Sequence, residues 1–119
     1  MDRLFRAWQN SLRALRRLSA SETAFRQELA LLVLAIPVAW FLSTSWRGYW
    51  LLIGALLLLV MVEVLNTGIE AACDAISREF HIDIQLAKDC GSLAVLISVV
   101  LAAIVWGLAI AEAVWGVPL

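Results

Sequence analysis

The segment Cys90–Ala111 reads CGSLAVLISVVLAAIVWGLAIA, which is 22 residues without a charged side chain. The hydrocarbon core of a bilayer is about 30 Å thick, and a helix of about 20 apolar residues crosses it. This segment therefore predicts a membrane-spanning helix, and it places the chain among membrane proteins.

Two further apolar segments precede it. Leu29–Trp46 is 18 residues long and uncharged, and it contains Pro37, which a membrane helix tolerates. Gly48–Val62 has 15 uncharged residues and ends at Glu63, so a helix long enough to span must continue through Glu63 toward Thr67. We predict an all-α membrane protein with three transmembrane helices, at about 27–45, 48–73 and 89–115.

The overall composition agrees with a single membrane domain over residues 1–119. Hydrophobic residues make up 63% of the 119 positions and charged residues 16%, whereas soluble domains average about 45–50% and about 25%. The formal net charge of −1 argues against nucleic acid as the main partner. Cys73 and Cys90 lack the spacing of zinc or redox motifs, so we interpret both as small packing residues.

The basic residues predict the orientation in the membrane. Lysine and arginine concentrate on the cytoplasmic side of membrane proteins. Of nine basic residues, Arg47 alone falls on one side of the predicted spans. The other eight share the opposite side: Arg3, Arg6, Arg13, Arg16, Arg17, Arg26, Arg78 and Lys88. We therefore predict a cytoplasmic N-terminus, a cytoplasmic loop at 74–89 and an outer C-terminus. Trp46, Tyr49 and Trp50 then fall at the outer interface.

An amphipathic helix is predicted at about residues 2–18. Its apolar residues recur at spacings of three and four, with arginine between them: Leu4, Phe5, Trp8, Leu12 and Leu15. Such a helix lies on the membrane surface with its arginines toward anionic headgroups. It serves either as a simple anchor or as part of a substrate-binding surface.

The acidic residues cluster at the cytoplasmic ends of the spans. In VEVLNTGIEAACDAI (62–76), polar residues spaced by three and four form one stripe on a helix face: Glu63, Asn66, Thr67, Glu70 and Asp74. A charge inside a membrane helix costs about 2.5–3.5 kcal/mol on insertion scales and usually marks a functional site. Bare anions would repel each other, so the stripe needs a divalent cation or a basic partner such as Lys88.

Several of these acids also have simpler explanations. Glu22 follows Ser19 at the spacing of a capping box, and Asp74 could be a solvated charge near a helix end. Carboxylates at a membrane surface nevertheless fit magnesium-assisted phosphoryl transfer to a lipid. No P-loop or glycine-rich kinase loop is present, so any nucleotide site is of another kind.

Three segments together resemble the small prokaryotic diacylglycerol kinases: ETAFRQE (22–28), VEVLNTGIEAACDAI (62–76) and AKDCGSLAVL (87–96). The similarity covers about residues 3–105 and is closest to the Gram-negative branch that uses diacylglycerol. It implies three transmembrane helices with a surface helix, a homotrimer, and a location in the bacterial inner (cytoplasmic) membrane. The implied reaction transfers phosphate from ATP to 1,2-diacylglycerol and gives phosphatidic acid.

The resemblance also implies roles for particular residues. Glu63 corresponds to the general base that takes the proton from the lipid hydroxyl. Glu22 and Glu70 match carboxylates that contact ATP and hold its bridging Mg²⁺, with Asn66 beside them in support. The other matched ATP contacts are Arg3, Asn10, Glu79, Phe80, His81, Lys88 and Asp89. Phe80 and Asn10 stand where tyrosine is expected, so neither offers the phenolic hydroxyl.

Lipid-substrate contacts are implied at the start of the first span, at Glu63 in the second and at the start of the third. The matching residues are Ala24, Phe25, Arg26, Gln27, Glu28, Glu63 and Ser92. The surface helix extends this set toward the lipid headgroup with Ser11, Leu12, Arg16 and Arg17.

Three other functions are alternatives to a diacylglycerol kinase. An undecaprenol kinase would use the same chemistry on a different lipid. A small multidrug transporter needs four spans and a glutamate near the bilayer centre, whereas the sequence predicts three spans with acids at one interface. A purely structural membrane adaptor leaves the polar stripe unexplained.

Overall fold

The computed structural model describes residues 2–116, and over that range the chain forms four α-helices and no β-strand. The helices are α1 (Asp2–Ser21), α2 (Thr23–Leu42), α3 (Trp46–Ile76) and α4 (Ile82–Trp115). Helices α2, α3 and α4 are long and apolar enough to cross a membrane. The predicted all-α fold with three transmembrane helices is confirmed, and α1 is compatible with the predicted surface helix.

The helix ends differ from the predicted spans. Helix α4 begins before residue 89, and α2 ends at Leu42 rather than at residue 45. Ser45 explains the second difference, because its side chain accepts a hydrogen bond from the N–H of Gly48 at 3.0 Å and so caps the start of α3. The positions at which the hydrocarbon begins and ends stay predictions, since membrane helices continue into the headgroup region.

Helix α3 lies at the centre of the structure and packs against both α2 and α4. The buried core is made of aliphatic and small residues: Ala35, Ala39, Leu52, Ile53, Ala55, Leu56, Leu59 and Ala102. Small residues allow helix backbones to approach closely, which is how helices associate where lipid surrounds them. The indole N–H of Trp106 on α4 donates to the carbonyl of Leu52 on α3 at 3.0 Å. This contact fixes α4 against α3 in the apolar part of the pair.

Helix α1 stands apart from this core. None of its residues is buried, and it packs only against α2. Its apolar side chains remain exposed, with Leu4 at 71% and Trp8 at 63%. The guanidinium of Arg26 on α2 holds the C-terminal end of α1 by donating to the carbonyls of Ser19 and Ala20 at 3.0 and 3.1 Å. The amphipathic helix is therefore anchored at one end and leaves its apolar face free for a lipid surface.

An aromatic cluster surrounds the turn between α2 and α3. Trp40, Trp46, Tyr49 and Trp50 contact one another edge to face, with ring centroids 5.3 to 6.0 Å apart. The Tyr49 hydroxyl also donates to the Ile36 carbonyl at 3.1 Å. Tryptophan and tyrosine favour membrane interfaces, and the cluster is consistent with the predicted outer boundary.

Candidate functional site

The polar stripe of α3 is partly enclosed by its neighbours. Glu63 and Asn66 are buried, each with 8% of its surface exposed, and Glu70 and Asp74 are half-buried. A helix needs about 20 residues to cross the hydrocarbon, so a span that begins at Trp46 reaches the other edge of the hydrocarbon near Asn66. Carboxylates there are close enough to the membrane surface to meet water-soluble and lipid groups together.

Asn66 connects two parts of the stripe. Its side-chain Nδ2 donates to Oε1 of Glu70 at 3.2 Å, so one oxygen of that carboxylate is held by α3 itself. The other amide atom, Oδ1, is buried and has no hydrogen-bond partner among the described residues. It points toward Gly91 of α4, where an added Cβ would overlap it.

Lys88 supplies the basic partner that the stripe was predicted to need. Its Nζ lies 2.8 Å from Oδ1 of Asp74, and the two side chains are 40% and 41% exposed. Asp74 is therefore paired with α4 and is not merely a solvated charge near the end of α3. A partly exposed pair of this kind is worth about 0–1 kcal/mol, so its role is better understood as fixing the position of Lys88.

A second group of carboxylates comes from the start of α2. Glu22 and Glu28 both interact electrostatically with Glu63, as does Glu70. Glu28 is half-buried, and its Oε2 has no hydrogen-bond partner within residues 2–116. Three carboxylates, two from the start of α2 and one from α3, thus interact with a fourth, that of Glu63. Such a group is unfavourable unless cations or protons offset the charge.

The capping-box interpretation of Glu22 is wrong. Glu22 itself occupies the N-cap position of α2, and its side chain makes no capping hydrogen bond. A capping box would instead place the glutamate three residues inside a helix that Ser19 begins, whereas Ser19 lies within α1. The Glu22 carboxylate is consequently available for another ligand.

The predicted nucleotide contacts fall into two separate regions of the protomer. Glu79, Phe80 and His81 are exposed in the 77–81 loop between α3 and α4, followed by Lys88 and the exposed Asp89 in the first part of α4. Arg3 and Asn10 are exposed on α1. Within the described residues 2–116, α1 packs against α2 alone, so a single chain does not bring Arg3 and Asn10 to the polar stripe of α3.

The predicted lipid contacts differ in how accessible they are. Ala24, Gln27 and Ser92 are exposed, whereas Phe25 is a packing residue with only 2% of its surface exposed. Arg26 is occupied with the end of α1 and with Thr23 Oγ1 at 3.2 Å. The members of the set on α1 are mostly exposed, and within residues 2–116 helix α1 does not pack against the helix that carries Glu63: Ser11, Leu12, Arg16 and Arg17.

The packing roles of Gly91 and Arg26 could not be predicted from the sequence. Gly91 is a glycine within a long apolar helix, and its partner Asn66 is distant in sequence. A glycine inside a helix is a weak signal of close backbone approach, but it does not name the residue that approaches.

The donor set determines which metal this site could hold. Over residues 2–116, no three side chains of His, Cys, Asp or Glu form a group that could hold a metal ion. Mg²⁺, however, is usually bound through one or two carboxylates together with substrate phosphates and water. Glu22, whose side chain makes no capping hydrogen bond, and Glu70, of which Asn66 holds one oxygen, fit that mode of binding.

Comparison with known proteins gives consistent matches along most of the chain. The family model described as prokaryotic diacylglycerol kinase matches residues 9–110. The diacylglycerol kinase of Escherichia coli (strain K12) is 40% identical over 104 residues, which cover 87% of this chain and 85% of that protein. The diacylglycerol kinase of Haemophilus influenzae is 36% identical over 107 residues, covering 90% and 91%. That of Helicobacter pylori (strain J99) is 38% identical over 105 residues, covering 88% and 82%.

Proposed function

The chain belongs to the prokaryotic diacylglycerol kinase family, and from that premise we propose that it transfers the γ-phosphoryl group of ATP to 1,2-diacylglycerol. The products are phosphatidic acid and ADP. The observation that carries the proposal is the buried Glu63, which lies among the carboxylates of Glu22, Glu28 and Glu70 at the end of an apolar span. A lipid hydroxyl enters such a site from the membrane, and ATP enters from water.

Glu63 acts as the general base in this proposal. Phosphoryl transfer depends on positioning, on charge neutralisation and on removal of one proton from the attacking hydroxyl. The carboxylate of Glu63 is buried at this place, and it can accept the proton from a hydroxyl that comes within hydrogen-bond reach. Its position near the end of the hydrocarbon puts it within reach of a glycerol hydroxyl whose acyl chains stay in the membrane.

Glu22 and Glu70 would hold the Mg²⁺ that accompanies ATP. The fit rests on their chemistry and freedom: Glu22 makes no capping bond, and Asn66 occupies only Oε1 of Glu70. The metal would supply neutralisation of charge on the phosphate oxygens. Asn66 fixes the direction of the Glu70 carboxylate and thereby keeps its free oxygen toward the site.

The nucleotide is held by residues that border this centre. Lys88 provides a positive charge at the Asp74 end of the polar stripe, with Asp74 limiting where its ammonium can lie. Asp89 and the 77–81 loop with Glu79, Phe80 and His81 extend the same edge toward water. By the distribution of basic residues, this edge is cytoplasmic, and the membrane is the bacterial inner membrane.

We further propose a homotrimer with sites shared between subunits. The support is that α1 carries proposed ligand contacts yet touches only α2 of its own chain. Arg3 and Asn10 of α1 therefore reach a nucleotide only if that nucleotide is bound at the polar stripe of a neighbouring copy. Glu63→Gln, which lacks the proposed base, and a variant changed at Arg3 and Asn10, which should bind ATP more weakly, should then give more activity at low ATP when co-reconstituted than the two give separately. No gain at any mixing ratio would contradict a shared site.

Purified protein in detergent tests the reaction directly. Labelled ATP is offered with diacylglycerol or with undecaprenol, and the lipid that gains phosphate is identified. We expect transfer to diacylglycerol with wild-type protein and little with Glu63→Gln. Preferential labelling of undecaprenol would identify a different lipid as the substrate of the same phosphoryl transfer. No labelling of either lipid would contradict the kinase proposal.

A further inference from the structure

Gly91 differs from the other glycines within the helices. A Cβ added at Gly91 would overlap Oδ1 of Asn66 and lie 3.1 Å from its Cγ. A Cβ added at Gly54, Gly68 or Gly107 would meet nothing within 4 Å. Gly91 is buried, so the close approach occurs inside the α3–α4 contact and not at the surface.

The side chain that fills this space is held at both ends of its amide. Asn66 Nδ2 donates to Glu70, and Oδ1 lies against Gly91 with no hydrogen-bond partner in the described part of the chain. The opposite orientation of the amide would set its oxygen against the Glu70 carboxylate, where two acceptors repel. Since the amide is planar, any displacement of Oδ1 by α4 also moves Nδ2 relative to Glu70.

We propose that Gly91 is a positioning residue for Glu70, acting through Asn66. The missing side chain at Gly91 lets the Asn66 amide lie against the backbone of α4, and that position aims its N–H at Oε1 of Glu70. The inference rests on the proposed role of Glu70 as a magnesium ligand. Partners that orient a metal ligand typically contribute 10–100-fold to metal affinity or activity.

The test compares Gly91→Ala with Gly107→Ala, which lies on the same helix and has open space for a methyl group. Two quantities are measured on purified, correctly sized protein: the Mg²⁺ concentration for half-maximal activity, and the affinity for Mn²⁺ by electron paramagnetic resonance. For Gly91→Ala we expect the Mg²⁺ concentration for half-maximal activity to rise, and the Mn²⁺ affinity to fall, by about tenfold or more. The change in kcat at saturating Mg²⁺ should be smaller. Gly107→Ala should match wild type in both.

A double variant separates this role from general damage to packing. Asn66→Ala removes the amide, so it should itself weaken metal affinity, and Gly91→Ala added to it should cause no further loss. If Gly91→Ala alone fails to fold, Asn66→Ala/Gly91→Ala should recover folded protein, because the clash has been removed. Additive losses in the double variant, or failure of that variant to fold as well, would overturn the proposal.

Failure of the inference can be told apart from failure of the proposed function. If Glu70→Gln leaves Mg²⁺ dependence and Mn²⁺ affinity unchanged, Glu70 is not a metal ligand and the proposal falls with that role. If Glu70→Gln raises the Mg²⁺ requirement and lowers the Mn²⁺ affinity while folded Gly91→Ala changes neither, Glu70 is a metal ligand and the positioning role of Gly91 is wrong.

Discussion

The two halves of the α3–α4 pair are built differently, although the same two helices form both. In one half, Leu52 and Ala102 pack in an apolar core, with one indole hydrogen bond from Trp106. In the other half, the contacts are polar or demand a glycine: Asn66 against Gly91, and Asp74 against Lys88. We call these the apolar half and the polar half of the pair.

The comparison shows how a small protein separates stability from chemistry. The contacts from Trp106 to Leu52 and from Gly91 to Asn66 share one antiparallel register, so both halves belong to one continuous helix pair. Membrane helices associate through close packing and a few hydrogen bonds, since lipid is as apolar as leucine. The polar half adds buried carboxylates that contribute little to this packing, and a functional site is the reason to retain them.

The largest expected effect is at Glu63, in the polar half. Glutamine has nearly the same volume as glutamate but cannot accept the proton, so Glu63→Gln should fold, insert and bind ATP. A general base is worth about 10²–10⁴-fold in rate, and kcat should fall by that factor while KM stays within a few-fold. Steady-state kinetics on purified protein measure both.

Glu112→Gln is the matched control, because it makes the same substitution near the opposite end of α4, beside the apolar half. Its kcat should equal that of wild type. If added Mg²⁺ or Mn²⁺ restores part of the kcat of Glu63→Gln, Glu63 is a metal ligand and not the general base. Near-native kcat in folded Glu63→Gln would remove Glu63 from the catalytic role.

The next effect concerns the carboxylates of Glu22 and Glu70. Each change to Gln should raise the Mg²⁺ concentration for half-maximal activity by about tenfold or more. Loss of a residue that orients a metal ligand typically lowers metal affinity 10–100-fold, and loss of the ligand itself should lower it at least as much. A Mg²⁺ titration of kinase activity gives the value. Asp83→Asn, an exposed acid in the first turn of α4, should leave it unchanged. Loss of stability at unaltered Mg²⁺ demand in Glu22→Gln would assign that residue to structure alone.

A smaller effect is expected on α1, which belongs to neither half. Replacing Arg3, Arg16 or Arg17 singly by Gln should raise the apparent KM for substrates by a few-fold, because a basic residue near an anionic surface is worth about 1 kcal/mol. Arg6→Gln and Arg13→Gln, also made singly, serve as the comparison on the same helix. Equal effects of the two groups of variants in correctly inserted protein would reduce α1 to an anchor.

The sequence predicted the parts of this comparison that depend on one helix at a time. Run length and hydropathy identified three spans, and spacing by three and four placed Glu63, Asn66 and Glu70 on one face. It did not predict that Gly91 would meet Asn66 or that Arg26 would hold the end of α1, because each contact depends on how two helices pack. It also misjudged Glu22, since a Ser-x-x-Glu pattern alone does not reveal which residue begins the helix.

The smallest effect on activity is expected in the apolar half, at Trp106. Trp106→Phe keeps an aromatic ring but removes the indole N–H that donates to the Leu52 carbonyl. Hydrogen bonds between membrane helices average about 0.6 kcal/mol and reach about 1.7 kcal/mol. The free energy of unfolding should therefore decrease by an amount in that range, with some further decrease because the ring is smaller. Thermal unfolding in detergent measures the change, and Trp115→Phe, where the side chain is 74% exposed, should shift it less. Because the polar half contains the proposed base and metal ligands, kcat and Mg²⁺ demand should stay at wild-type values below the unfolding temperature. A loss of activity in folded Trp106→Phe would instead mean that the apolar half controls how the polar side chains are placed, and that stability and chemistry are coupled along the whole α3–α4 pair.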